Sequence, residues 1–347
     1  MLFKILEKEQ FRLLIEQLFQ ETEIIAPRQI DVNRAEHPIY QYLPVQSYDE
    51  IALQYDTTEY SAKTYFLPYQ EELSRYKFDE DDWDQEIRYR IQPRVILGLH
   101  ACDVNALVKL DKVFAKDLYP NPYYLSRRKN TFVIGMSCAP CEGAFCKSMG
   151  ADTVTHGFDL FFIDLNDRYF VKIDSDRAFN LLKRVETREL KDSDTQDYLE
   201  IRRQFDSAYK RDLDTHNLPN LLDIEFESTV WKKWGEKCLS CGSCAMTCPT
   251  CYCYGVSERV SMDYKEGAKV KKLYSCNLVD FAMVAGGHNF RPKAETRLKY
   301  RYYHQHRGFV ESFGHPMCVG CYRCGRVCLA GINPPDVIHD LQTEHNR

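Results

Sequence analysis

No run of apolar residues in this chain is long enough to cross a lipid bilayer. The longest runs, such as 95–99 and 158–165, have the length of a single β-strand. A membrane-spanning helix needs about 20 consecutive apolar residues. The sequence therefore predicts no membrane span.

Common motifs of nucleotide-binding and hydrolytic enzymes are also missing. The chain has no G-x-G-x-x-G after a predicted strand, no P-loop and no H-E-x-x-H. The formal net charge of -5 gives no overall attraction to nucleic acid. Basic stretches occur at 269–272 and 297–307, and we expect the second to be a docking face for a partner protein or a packed helix rather than an RNA-binding surface.

Cysteine, by contrast, is abundant, with 15 residues in a chain of 347. A disulfide scaffold is one use of so many cysteines, but such scaffolds are short and secreted. The segment after Met1 is amphipathic and charged, unlike a signal peptide. We therefore expect reduced thiols in a cytoplasmic protein.

Eight cysteines form two runs with the same spacing, C-x2-C-x2-C-x3-C. The first run consists of Cys238, Cys241, Cys244 and Cys248, and the second of Cys318, Cys321, Cys324 and Cys328. The first three thiolates of such a run can surround one corner of a 4Fe-4S cubane, whereas the fourth points away and ligates the other cluster in two-cluster ferredoxins. We therefore predict one 4Fe-4S cluster held by Cys238, Cys241, Cys244 and Cys328, and a second held by Cys318, Cys321, Cys324 and Cys248.

Structural zinc sites are the alternative, because C-x2-C pairs also bind zinc. A zinc ribbon uses two such pairs separated by a longer loop and does not require two identical runs of four. The spacing therefore favours iron-sulfur clusters. Three further cysteines in this region, Cys251, Cys253 and Cys276, are expected to pack around clusters whose ligand sets are already complete.

Secondary-structure signals predict an α+β protein with two domains. Strands are predicted at 95–99, 131–136 and 159–165, and helices at 5–20, 105–114, 271–285 and 294–306. Residues 1–220 then form an N-terminal α/β domain. Residues 221–347 form an α-helical ferredoxin-like domain with two 4Fe-4S clusters held between helices.

Four more cysteines follow the predicted strands of the α/β domain. They are Cys102, Cys138, Cys141 and Cys146. Ligands gather at the carboxyl edge of open α/β sheets, so we predict a third 4Fe-4S cluster held by these four residues, with Asp103 as the substitute ligand if one cysteine does not reach. The alternative is that these cysteines are buried as small apolar residues.

Several blocks along the chain resemble one known family. They are Lys63-x-x-Phe66-Leu67-Pro68, His100-Ala-Cys102-Asp103, Cys248-Pro-Thr-Cys251-Tyr-Cys253 and Ala285-Gly-Gly287-His-Asn-Phe-Arg291. They are similar to blocks in the iron-sulfur components of cytoplasmic sulfhydrogenases (the β subunit) and of anaerobic sulfite reductase. The family includes the similar partner of flavin oxidoreductases that feed heterodisulfide reductases, and the resemblance covers most of the chain.

This resemblance implies an electron relay rather than a catalytic subunit. Members of the family lie beside a flavoprotein that carries FAD and an NAD(P)H site, and they pass electrons to a hydrogenase, sulfite reductase or heterodisulfide reductase subunit. Many relatives have Cys-Phe-Cys where this chain has Ala144-Phe145-Cys146. We therefore expect a shifted ligand set for the third cluster, with Cys141 as the replacement.

Two other functions remain open from the sequence. The first is a reductase with its own substrate site at an N-terminal iron-sulfur cluster. The second is a zinc-dependent nucleic-acid-binding or scaffold protein. A cubane with four cysteine ligands has no open iron position, which favours the relay over the reductase.

Overall fold

The computed structural model describes residues 2–32, 36–78, 82–89, 91–116 and 118–345. Within these ranges the chain forms two β-sheets surrounded by helices. None of the helices in the described ranges is both long enough and apolar enough to cross a membrane.

A seven-stranded sheet forms the centre of the N-terminal part. Its strands are β1 (Leu2–Glu7), β2 (Glu23–Val32), β3 (Pro38–Val45), β6 (Arg94–Leu99), β7 (Thr131–Met136), β8 (Leu160–Asp164) and β9 (Arg168–Ile173). They lie in the order β1-β9-β8-β7-β6-β2-β3. The four strands β8, β7, β6 and β2 are parallel, and antiparallel strands flank them on both sides. Buried parallel strands are apolar on both faces, which explains why the apolar runs in the sequence predict β6 and β7 correctly.

Helices cover both faces of this sheet. They are α1 (Lys8–Phe19), α2 (Ala101–Phe114), α3 (Pro122–Lys129), α4 (Asp176–Leu182) and α5 (Asp192–Ser207). The side chains of Phe11 and Leu14 pack on one face, and those of Leu107 and Leu110 on the other. The helix predicted from residue 5 begins instead at Lys8, because residues 2–7 pair with β9 as an edge strand.

A smaller sheet of four strands corrects the prediction of an entirely helical C-terminal region. Its strands are β4 (Gln70–Phe78), β5 (Trp83–Ile87), β10 (Tyr254–Val260) and β11 (Glu266–Leu273), in the order β10-β11-β4-β5. The helix predicted at 271–285 is wrong. Residues 266–273 lie in β11, which pairs with β10 and β4, and short 3-10 turns follow at Val279–Ala282 and Ala285–Gly287.

This smaller sheet contains strands from both sides of residue 220. β4 and β5 come from the N-terminal part, and β10 and β11 lie between the two cysteine runs. The division into 1–220 and 221–347 stays a prediction. The sheet nevertheless ties the two parts together through the backbone pairing of β4 with β11.

The helices around both cysteine runs form a further hydrophobic core, in addition to those on the two faces of the seven-stranded sheet. They are α6 (Leu218–Ile224), α7 (Thr229–Lys237), α8 (Ser243–Thr247), α9 (Ala294–Tyr303), α10 (Phe309–Phe313), α11 (Arg323–Arg326) and α12 (Pro334–His345). Trp231, Leu298 and Val337 are buried together between α7, α9 and α12. The helix predicted at 294–306 is present as α9, which continues into a π-helical turn at His304–Gly308.

Candidate metal centres

Two cavities lie between the cysteine runs. The first, called the inner cavity, is lined by Cys248, Cys318, Cys321 and Cys324. The second, called the outer cavity, is lined by Cys238, Cys241, Cys244 and Cys328, and also by Cys324. Each cavity is therefore lined by the first three cysteines of one run and the fourth cysteine of the other.

The side chain of Arg301 lines both cavities. It is 7% exposed, and its guanidinium donates to the Cys251 sulfur at 3.2 Å and to the carbonyl oxygen of Cys244 at 3.2 Å. Burial opposes the charged form, but the neighbouring cysteines, Cys244 and Cys251 foremost, outweigh it and raise the pKa of Arg301 well above its ordinary value. A permanent positive charge thus lies between the two cavities.

Hydrogen-bond donors point at several of the lining sulfurs. The Gly320 N–H lies 3.4 Å from the Cys318 sulfur, and the Ile332 N–H lies 3.3 Å from that of Cys328. The Asn277 side-chain amide donates to the Cys244 sulfur at 3.2 Å. Hydrogen bonds to cysteine sulfur stabilise thiolate ligands and set the reduction potential of iron-sulfur clusters, so these donors fit such a group.

Two buried lysines from the N-terminal part hold the backbone of the cysteine runs. The Lys63 ammonium donates to the carbonyl oxygens of Ala245, Cys248 and Cys251, at 3.1, 2.6 and 2.8 Å. It thereby satisfies carbonyls at and beyond the end of α8, which a helix terminus leaves without partners.

Lys109 does the same for the second run. Its ammonium donates to the carbonyl oxygens of Pro316 and Cys318 at 2.7 and 2.9 Å. Burial lowers the pKa of Lys109 to about 8. Sequence reasoning missed this role, because a lysine within an amphipathic helix resembles a surface residue, whereas Lys63 at least lies in a block that carries the family resemblance.

The four N-terminal cysteines come together at the carboxyl ends of β6 and β7. Cys102 lies in the first turn of α2, and the other three, Cys138, Cys141 and Cys146, lie in the loop after β7. A hydrogen bond between the thiols of Cys102 and Cys146, together with burial, raises the pKa of Cys102 well above its ordinary value. Burial and the charge of Cys102 likewise raise the pKa of Cys138.

This N-terminal cysteine group contacts the second run directly. The Cys146 thiol donates to the carbonyl oxygen of Gly320 at 3.3 Å, and the Phe145 N–H donates to the same oxygen at 2.8 Å. Gly320 has a φ of +67°, and a Cβ there would lie 2.5 Å from the backbone of Phe145. Glycine is needed because the two loops approach so closely.

Asp103 does not lie free beside these cysteines. It is 2% exposed, and its two carboxylate oxygens accept from the guanidinium of Arg323 at 2.7 and 2.8 Å. The expected substitute ligand is therefore engaged in an ion pair with the second cysteine run.

The arrangement of side chains does not suit a single metal ion. In the part of the chain that the structure describes, no group of three or more His, Cys, Asp or Glu residues is placed to hold one. A zinc site requires such convergence. In a 4Fe-4S cubane each iron takes one cysteine, so the thiols surround a volume, as they do at the inner and outer cavities.

Cysteine-lined cavities joined to an α/β sheet define an iron-sulfur protein, and comparison with known sequences agrees. Residues 237–332 match the family of 4Fe-4S dicluster domains. The chain is 35% identical to the sulfhydrogenase 2 subunit beta of Pyrococcus furiosus over 308 aligned residues. The aligned region covers 87% of this chain and 89% of that protein. The chain therefore belongs to the sulfhydrogenase β-subunit family, and the family resemblance is confirmed.

Proposed function

We propose that this chain is a cytoplasmic electron relay with three 4Fe-4S clusters. The observation that carries the proposal is that each of two cavities is lined by the first three cysteines of one run and the fourth cysteine of the other. In this proposal the inner cluster is held by Cys248, Cys318, Cys321 and Cys324. The outer cluster is held by Cys238, Cys241, Cys244 and Cys328, and the third by Cys102, Cys138, Cys141 and Cys146.

The three sites lie in series, which supports a relay. The inner and outer cavities share Cys324 and Arg301 as lining residues. The inner cavity is also lined by Phe145, which precedes Cys146, and by Cys321, which packs with Cys102 and Cys146. The order is therefore outer site, inner site, N-terminal site.

Both ends of this series come close to the surface. Cys241 of the outer site is exposed, and its neighbour Leu239 is 62% exposed. At the other end, Cys138 lines a cleft of about 1130 Å³ that is open to solvent. Electrons can therefore enter at one end and leave at the other, each end facing a different partner.

The family suggests the partners. A 4Fe-4S cluster supplies one-electron transfer, and four cysteine ligands leave it no position for substrate. We propose a flavoprotein with FAD and an NAD(P)H site at one end and a catalytic partner at the other. The name of the Pyrococcus relative favours a hydrogenase as that partner; sulfite reductase and heterodisulfide reductase subunits are the other candidates.

Reduction of the isolated, iron-loaded chain under anaerobic conditions tests this proposal. Dithionite should bleach the cluster absorbance, whereas NADH and NADPH should not, because the sequence carries no nicotinamide fingerprint. Adding the flavoprotein should restore reduction by NADH or NADPH. Rapid bleaching by a nicotinamide nucleotide alone would contradict the relay.

A reductase with its own N-terminal substrate site is the second candidate. It is favoured by the large cleft beside Cys138, which is also lined by charged side chains such as Asp56, Arg211 and Arg326. The test is to add sulfite to the dithionite-reduced chain after removing excess dithionite. The relay predicts slow reoxidation that Cys138→Ser does not change, and the reductase predicts fast reoxidation that this substitution abolishes.

A further inference from the structure

Two cysteines that the proposed clusters do not use lie together at the base of the β10–β11 ribbon. Cys253 immediately precedes β10, and Cys276 follows β11. The ribbon holds them in register, because Tyr254 pairs with Leu273 and the Tyr274 N–H donates to the Cys253 carbonyl oxygen at 2.8 Å. The two thiols are close enough for each to shift the pKa of the other.

The surroundings of Cys253 are those of a reactive thiol. The hydrogen bond from Cys276 and the positive charges of Arg301, Lys63 and Arg291 lower the pKa of Cys253 to about 7, although burial opposes this. Cationic, partly exposed surroundings are typical of nucleophilic cysteines, whereas structural cysteines are buried and inert.

The two thiols differ in accessibility. Cys253 is half-buried, whereas Cys276 is 5% exposed. The same hydrogen bond that favours the Cys253 thiolate raises the pKa of Cys276, which therefore holds the shared proton. An accessible thiolate paired with a buried thiol is the arrangement of an attacking and a resolving cysteine.

We propose that Cys253 and Cys276 form a redox-active dithiol that exchanges with low-molecular-weight organic disulfides. The Cys253 thiolate attacks one sulfur of the disulfide, the S–S bond breaks, a mixed disulfide forms, and one small thiolate leaves and takes up a proton from solvent. The Cys276 sulfur then attacks the Cys253 sulfur, and the second thiol leaves with the remaining proton. The two electrons of the protein pair are thus carried away by two small thiols, which take one proton from Cys276 and one from solvent.

This dithiol lies beside the outer site. Asn277, the residue after Cys276, donates to the Cys244 sulfur, and Arg301 lies close to both Cys253 and Cys244. A disulfide between Cys253 and Cys276 would close the base of the ribbon next to this site. The exchange itself requires no electron from a cluster, so it can be tested independently of the relay.

Glutathione disulfide is the probe for the test. The full, iron-loaded chain is incubated with it anaerobically, remaining thiols are alkylated, and peptides are mapped by mass spectrometry without reduction. We expect a peptide pair linked through Cys253 and Cys276, which returns to two free thiols after reduction. If both cysteines remain alkylatable thiols after prolonged incubation, the proposal is wrong.

Single substitutions distinguish the two roles. In Cys276→Ser the mixed disulfide between glutathione and Cys253 should accumulate, because no resolving thiol is present, whereas in Cys253→Ser the buried Cys276 should stay unmodified. Iron content should equal that of the wild type in both variants. Loss of four irons in either one would overturn the proposal and identify these cysteines as cluster ligands.

Discussion

Arg323 and Asp103 form a buried ion pair that joins the second cysteine run to the N-terminal sheet. The guanidinium donates to both carboxylate oxygens, at 2.7 and 2.8 Å, and its remaining donors reach the backbone oxygen and the hydroxyl of Thr58. The two charged side chains are 1% and 2% exposed. Such a pair, with its polar atoms satisfied, fixes the relative position of the two cysteine-bearing regions.

Breaking this pair should destabilise the protein strongly. Arg323→Met leaves the Asp103 carboxylate buried without a charged partner, with only the Tyr42 hydroxyl donating to it at 3.4 Å, which costs about 3–5 kcal/mol. Adding Asp103→Leu removes the uncompensated charge and should recover much of that loss. Anaerobic denaturant unfolding measures both. The matched control is Arg326→Gln, whose more exposed pair with Asp56 should contribute less than about 1 kcal/mol. Equal costs for the two single substitutions would contradict the assignment.

The proposed crossed ligation of the two cysteine runs predicts which cluster each fourth cysteine serves. Cys248→Ser should damage the inner cluster, because Cys248 lines the inner cavity. Its electron paramagnetic resonance spectrum should then match that of Cys321→Ser and differ from that of Cys241→Ser. The reverse match would show that each run encloses its own cluster. Cys328→Ser is the complementary control and should match Cys241→Ser.

Iron analysis tests the third cluster. Three cubanes contain on the order of 12 irons per chain. Cys138→Ser should lower this to roughly eight while the signals of the inner and outer clusters stay unchanged. A wild-type value near eight, after anaerobic reconstitution, would reject the N-terminal cluster and leave the other two intact.

The parts of the fold that can be predicted are those whose residues form a recognisable pattern over a short stretch of sequence. Strands β6, β7 and β8 can be predicted to within about one residue, because a buried parallel strand leaves a continuous apolar run. The helix predicted at 271–285 is wrong in part because residues 266–273 form β11, which pairs with β10 and with β4. β4 lies far away in the chain, so its pairing with β11 leaves no local pattern.

The cysteine spacing can also be read from the sequence. The sequence does not show which charged side chains lie next to the cysteines. Lys63, Lys109, Arg301 and Arg323 are buried against the cysteine runs, whereas charged residues are mostly exposed. Their roles depend on contacts between distant segments. Only the three-dimensional arrangement could reveal that cations from the N-terminal part hold the backbone of both runs.

Asp194 should stabilise the protein equally across the neutral pH range. It is fully buried and accepts from Arg188, Arg168 and the Lys191 N–H. The Arg188 hydrogen bond, followed by other contacts that outweigh burial, lowers the pKa of Asp194. The stabilisation is therefore complete above the unfolded pKa of about 3.9 and is lost only as the pH falls below it.

The measurement for Asp194 is denaturant unfolding of Asp194→Asn at pH 5.5 and pH 8. We expect a loss of about 1.5–3 kcal/mol, the range for hydrogen bonds to charged groups, at both pH values. Asp197→Asn is the control, because Asp197 is 52% exposed and contacts Arg168 alone among these cations. A cost for Asp194→Asn that shrinks between pH 8 and pH 5.5 would show that another group controls the stability.

Arg301 should raise the reduction potentials of the inner and outer clusters together. Its guanidinium lies between the two cavities, and each cluster becomes more negative when it accepts an electron. A unit charge about 7 Å away contributes roughly 2 kcal/mol at an effective dielectric constant near 20. Arg301→Gln, which keeps an amide donor but removes the charge, should therefore lower both potentials by on the order of 50–100 mV, since 59 mV corresponds to a tenfold change for one electron.

Anaerobic potentiometric titration followed by electron paramagnetic resonance measures these potentials, and iron analysis verifies that the clusters remain. Arg307→Gln is the control, because Arg307 lies on the same stretch of helix but pairs with Asp223 and Glu311 at the surface. Its potentials should stay close to those of the wild type. In Arg301→Gln the reduction potential of the N-terminal cluster should shift less than those of the other two, because Arg301 lines the inner and outer cavities. Unchanged or raised potentials at the inner and outer clusters, with full iron content, would contradict the placement of this charge between them.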